Sequence, residues 1–227
     1  MVSSQKAWHN RRVKSEKTIE SLKVREDRSF GEKEGFLVLR RVGLANIRDD
    51  KTCSNDYVCD FIERPKGLDA VVVVVFDKGE PKTKILLRDG LRPSLSLARE
   101  DETRLFFTEV VAGIIEAGEE TEGDRRRRAA AEVKEEAGFT IEPSELISLG
   151  GKSYPSPGAF PEAFHFYAAS VDPDEQTPLE GDGSPMEEGA STRWADLDEA
   201  IQACAVGEIP DLKTEVILRR LRDYLLL

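Results

Sequence analysis

Three glutamates, Glu132, Glu135 and Glu136, stand within five residues of one another in a segment with helical periodicity. Placed at about 100° per residue, they share one arc of a helix, with Glu132 and Glu136 one turn apart. Ala129, Ala130, Val133 and Ala137 fall on the neighbouring arc and are expected to face the core. Three carboxylates this close repel one another and disfavour the folded helix unless cations sit among them. Hard oxygen donors at this density suit Mg²⁺, with Mn²⁺ as a substitute. A Glu-rich helix face is ordinarily just a solvated one, so the surroundings must decide. Here a Gly-containing strand exit precedes the helix, and small residues on its other arc let it lie close to a sheet. Asp124 is positioned to cap the helix start, and Gly138 suits the left-handed residue after its end.

The same stretch carries a recognisable pattern. Gly113 is followed after five residues by Glu119, and the run Glu132-Val133-Lys134-Glu135-Glu136-Ala137-Gly138-Phe139 comes later. This resembles the Nudix box, in which Gly and Glu precede an Arg-Glu-apolar-any-Glu-Glu-any-Gly-apolar run. Two departures stand out. The spacing between Glu119 and Glu132 is longer than the family's, so Glu122 competes with Glu119 for the first-Glu role. The box Arg is Ala131, and Arg128, one turn before Glu132, is positioned by helical spacing to stand in for it.

The resemblance covers roughly residues 36–225 and is most similar to the branch that hydrolyses ADP-ribose and other nucleoside diphosphate sugars. Glu63-Arg64-Pro65-Lys66-Gly67 before a valine strand, Leu91-Arg92-Pro93, Tyr154-Pro155-Ser156-Pro157-Gly158 with Glu162 after it, and Gly207 to Thr214 follow in that branch's order. The Gln of its Gln-aromatic-Arg-Pro segment is Gly90 here. The resemblance implies metal ligation by Glu132, Glu135, Glu136 and the Ala112 carbonyl. It also implies catalysis by Glu162 as base with Glu135, substrate contacts from Arg92, Glu116, Gly113 and Ser156, and support from Glu119 and Arg128. It implies an α/β (α+β) fold, an α/β/α sandwich around a mixed sheet with a small N-terminal β-subdomain, and a homodimer paired through that subdomain. The expected activity is metal-dependent hydrolysis of a diphosphate bond, giving a nucleoside monophosphate and a sugar phosphate. Alternatives are another nucleotide class (a UDP- or GDP-sugar, a dinucleotide, a coenzyme A derivative) and a non-catalytic nucleotide-binding module.

The elements that must position these groups are legible in outline. Strands are expected at 36–42 and 57–63 around a turn near 49–56, then at 69–76, 83–87 and 105–111, with a loop holding Arg88, Arg92 and Pro93. The helix at about 124–137 is followed by strands near 146–153 and 163–169, an acidic loop at 172–190, a strand at 192–194, and helices at 196–206 and 211–224. Five consecutive valines, Val71 to Val75, predict a strand buried on both faces. The organisation reads as a charged arm (1–35), an N-terminal β-subdomain (36–66) and a catalytic domain (67–227). His165 and Trp194 read as packed residues; nothing assigns Trp8 or His9 a role.

The formal charge is −11. Residues 1–35 hold nine Lys/Arg against six Asp/Glu, about +3, which leaves about −14 for the remainder. So acidic a body argues against a nucleic-acid polymer as partner but leaves room for a small anionic substrate beside a divalent metal. Cys53, Cys59 and Cys204 form no CxxC pair and read as free thiols. With no long apolar segment, no membrane association is expected and the default location is cytoplasmic.

Overall fold

A computed structural model describes residues 13–14, 36–47, 54–77, 79, 82–181 and 183–227. Apart from 13–14, the N-terminal arm lies outside them, as do Trp8, His9, Cys53 and part of the turn near 49–56. The strands are β1 (Val13–Lys14), β2 (Val38–Leu44), β3 (Tyr57–Glu63), β4 (Ala70–Asp77), β5 (Lys84–Leu91), β6 (Phe106–Glu109), β7 (Val111–Ile114), β8 (Ile147–Ser148), β9 (Phe164–Ser170) and β10 (Ser191–Asp196). The helices are α1 (Pro93–Ala98), α2 (Glu122–Glu132, continued by a π-helical turn over Val133–Ala137), α3 (Leu197–Ala205) and α4 (Leu212–Leu225).

The valine strand organises the molecule. Val71 to Val75 are 0–1% exposed, and the pleat sends alternate side chains to opposite faces. Val71, Val73 and Val75 pack with Ala129, Ala130, Val133 and Ala137 of α2 and its π-turn. Val72, Val74 and Phe76 pack with Ile201, Cys204, Ile217, Leu218 and Leu221 of α3 and α4. One strand thus serves two cores, each buried valine contributing about 1.5–3 kcal/mol, and the result is a sheet between helical layers. The order is β1-β10-β5-β4-β9-β8, with β6 on β5 and β7 on β4; β4–β9 is parallel and the other pairings are antiparallel, so the sheet is mixed. A separate two-stranded sheet, β2–β3, carries paired charges at Arg41–Asp60 and Arg40–Glu63.

Several local expectations are corrected. Arg88 is not in a loop: β5 runs on to Leu91, and Pro93 opens the short α1 at a position where its missing N–H costs nothing. The segment 105–111 is two strands, because the chain switches at Val110 from pairing β5 to pairing β4. Thr121, not Asp124, caps α2, with Asp124 returning a bond as the third helical residue of a capping box. In 146–153 only Ile147–Ser148 is strand, with a further bridge at Ser153. The loop 172–190 contains two 3₁₀ turns and does structural work. Gln176 and Thr177 donate to the Ala137 and Gly138 carbonyls, and the Gly181 N–H donates to the Glu135 carbonyl, satisfying groups that the helix end leaves open.

Gly138 holds φ +76°, and a Cβ there would lie 2.2 Å from the Thr177 carbonyl oxygen. Gly138→Ala is therefore expected to cost about 2 kcal/mol or more in urea unfolding. A loss within about 0.5 kcal/mol, as at an ordinary surface site, would show that the 177 segment does not clamp the helix end.

Candidate functional site

The helix face that carries the carboxylates is pressed against β7, because Ala129, Ala130 and Val133 leave no bulk between helix and sheet. Gly113 makes the approach possible. A Cβ on it would come within 1.8 Å of a Glu132 carboxylate oxygen. Next to it, the Ala112 N–H donates to Glu136 Oε2 at 3.2 Å. The helix widens to a π-turn at this point, a local irregularity common at functional sites.

Burial dominates the electrostatics. Glu132 is pushed up to about 8 by desolvation, then by repulsion from Glu136 and Glu135. Glu136 is pushed up to about 7 by desolvation, against the pull of Arg88 and the Ala112 N–H. Glu135 is half-buried and adds its charge to Glu132. These donors have the chemistry of a hard divalent-cation site. Among the described residues no three acidic, His or Cys side chains gather closely enough to hold an ion alone. A cation here would rest on Glu132 and Glu136, completed by a backbone carbonyl and water, as suits Mg²⁺.

A buried ion network joins this face to the sheet. Arg88 Nη2 lies 3.2 Å from Glu136 and 3.3 Å from Glu187, and its Nη1 lies 3.6 Å from Glu109. Glu109, 3% exposed, also accepts from Arg92 and, at 2.6 Å, from Lys213 Nζ. Arg92 is thus held by a buried carboxylate while its side chain stays partly exposed.

Glu162 is placed differently. It is 8% exposed and bonded at 2.5 Å by Arg64 Nη2. Burial raises its pKa, while the Arg64 guanidinium pulls it down. Arg64 also donates to the Gly67 and Leu68 carbonyls and lies over the rings of Phe36 and Phe160, 5.7 and 5.5 Å from their centres. The Ile62 N–H donates to the Ala159 carbonyl at 2.7 Å. The loop 154–163 is therefore fastened to β3 and to the chain entering β4. Ser156 sits in a tight turn of that loop, its carbonyl accepting from the Ala159 and Phe160 N–H groups.

Arg128 turns to Glu119, at 3.1 and 3.2 Å, and to Glu116, at 3.4 Å; it reaches Glu132 only as a charge that lowers its pKa. Glu122 faces the Tyr167 hydroxyl and Arg126. A cleft of ≈ 470 Å³ takes in Arg64, Asp69, Glu116, Glu119, Lys152 and His165, within the size range of small-ligand sites. His165 is not simply packed: its Nε2 lies 3.2 Å from Asp69 Oδ2. Glu132, Glu135, Glu136 and Arg92 lie outside the cleft lining. Arg88, Glu109, Lys213, Arg64 and Glu187 carry no role in the sequence reading. The available signal was a charge interrupting an apolar strand, at Arg88 after Ile85-Leu86-Leu87 and at Glu109 after Phe106-Phe107.

No family model matches the chain, and a comparison with curated proteins finds no match. Among solved structures it is similar to C. elegans Ap4A hydrolase in a binary complex, at 18% identity and TM-score 0.46, over 70% of this chain and 97% of that one. A second structure of C. elegans Ap4A hydrolase is similar at 18% identity and TM-score 0.44, over 70% and 98%. Among the described residues no helix is long and apolar enough to cross a membrane.

The Glu132 carboxyl titrates near 4.5 when unperturbed and near 8 in the fold. The unfolded chain therefore releases this proton first as pH rises, and the metal-free fold loses stability from about pH 4.5 through about pH 8. Glu132→Gln is expected to flatten this slope in EDTA by on the order of 2–3 kcal/mol across the window. Parallel stability–pH curves for the two proteins would show that Glu132 is not a strained buried acid.

Proposed function

We propose that the chain is a metal-dependent Nudix-type hydrolase that splits the diphosphate bridge of an ADP-ribose-like nucleoside diphosphate sugar, releasing a nucleoside monophosphate and a sugar phosphate. The observation that carries the reading is the pair Glu132 and Glu136, half-buried and buried against Gly113 and Ala112, with raised pKa values. Such a pair keeps its charge at neutral pH best with a cation between its members. Beside that observation stand the box-like spacing and the motifs at 63–67, 91–93, 154–158 with 162, and 207–214.

A diphosphate bridge resists hydrolysis because its anionic oxygens repel a nucleophile. Bound Mg²⁺, or Mn²⁺ in its place, would neutralise that charge and polarise phosphorus. Glu132 and Glu136 would hold it, with Glu135 and the Ala112 carbonyl beside them. Gly113 leaves the space in which Glu132 lies. Arg92, its guanidinium held by Glu109, would bind a substrate phosphate in this reading. Glu116 and Ser156 are the further substrate contacts, and Glu119 with Arg128 steadies the loop that carries Glu116. Glu162 is the base in this reading: its raised pKa favours taking a proton from water, once its bond to Arg64 loosens.

The protein is further proposed to act as a cytoplasmic homodimer. The exposed apolar side chains of the β2–β3 region, Phe36, Leu39, Tyr57 and Val58, support pairing there, and a monomer in solution scattering would remove it. A non-catalytic nucleotide-binding module is the second reading. Ala131 and the absence of a three-ligand cluster among the described residues favour it.

ADP-ribose, ADP-glucose, UDP-glucose, GDP-mannose and a diadenosine polyphosphate should be offered with Mg²⁺ and with EDTA, following nucleoside monophosphate release. Metal-dependent turnover of a sugar nucleotide is expected; turnover of the diadenosine substrate alone would move the assignment to dinucleotides, and silence with Mg²⁺ and Mn²⁺ would favour the binding module. In the active protein, Glu162→Gln is expected to lower kcat by about 10²-fold or more with metal binding unchanged. Near-normal kcat would take the base role from Glu162.

A further inference from the structure

Arg88 lies on the face of β5 that turns toward α2 and is 4% exposed. Its Nε has no hydrogen-bond partner among the described residues. A guanidinium is costly to bury, and is retained where opposite charge surrounds it. Here the surrounding charge is Glu136, Glu109 and Glu187. Glu109 does not depend on Arg88, because Arg92 and Lys213 already bond its two oxygens. Glu136 does: Oε2 is taken by the Ala112 N–H, and Oε1 faces Arg88. The guanidinium therefore stands where a cation approaching Glu136 from the sheet side would have to stand.

We infer that Arg88 is a resident counter-cation of the carboxylate cluster, in competition with a divalent metal for Glu136. When metal enters, Arg88 yields Glu136 and keeps Glu109 and Glu187, which lie within 3.6 Å of its two terminal nitrogens. The metal affinity of the site is thereby set below what the bare carboxylates would give. The inference rests on the reading of Glu132 and Glu136 as a metal site.

The test is Mn²⁺ titration by calorimetry on the full chain, comparing the unaltered protein with Arg88→Met and Arg88→Lys, with melting curves in EDTA and in Mg²⁺. Removing a unit charge at this range should tighten Mn²⁺ binding about tenfold or more in Arg88→Met. It should also enlarge the rise in Tm that Mg²⁺ gives, while Arg88→Lys stays near the unaltered protein. Unchanged or weaker Mn²⁺ binding in Arg88→Met, with only a lower Tm, overturns the inference and leaves the metal site standing. Binding by Arg88→Met alone supports the inference. Silence in all three proteins sinks both. If Arg88→Met is unfolded in EDTA, recovery of the fold with Mg²⁺ supports competition, and failure to recover overturns it.

Discussion

Two carboxylates one helical turn apart, Glu136 buried and Glu132 half-buried, constrain what surrounds them. Desolvation pushes the pKa of both Glu132 and Glu136 upward, and Glu136 adds to the cost of ionising Glu132. Something must supply positive charge, or the pair is a neutral, weakly useful polar patch. The structure answers from the sheet side with Arg88, and leaves Glu132 under the long-range pull of Arg128. The helix is held against β7 by alanines and Gly113, which fixes where the carboxylates lie. The loop 176–181 pins the helix end through its last carbonyls. The two-faced valine strand then sets the distance between this helix and the opposite layer.

The second candidate group depends on a different knot. Glu162 is buried in the loop 154–163, far along the chain from the helix, and Arg64 joins it to the entry of β4. The same guanidinium lies over the rings of Phe36 and Phe160. The small β2–β3 sheet, the loop and the central strand are thereby coupled through one side chain. Glu162, proposed above as the base, is thus held by the N-terminal region as much as by its own loop.

Much of this was legible in the residues. The unbroken valine run predicts burial on both faces, and the apolar and acidic arcs of the helix emerge from spacing alone. What the sequence hid was long-range. Arg88 reads as a loop residue because Asp89, Gly90 and Pro93 follow it, yet pairing with β6 and β10 carries the strand on to Leu91. The acidic loop at 172–190 reads as solvated surface, but its polar atoms cap the helix and Glu187 joins the ion network. Arg128 has the right helical spacing for Glu132 and is drawn away by Glu119, a competitor that local spacing cannot reveal. The partners of buried charges are chosen in three dimensions, and only their existence can be anticipated from sequence.

Glu132 and Glu136 are proposed to form a divalent-cation site on the helix facing Gly113. Crystals grown with Mn²⁺ and measured for anomalous scattering test it most directly. The expected result is an anomalous peak bound by Glu132 and Glu136 beside the backbone at Ala112. Mn²⁺ bound elsewhere, with Glu136 still turned to Arg88 and the Ala112 N–H, would contradict it.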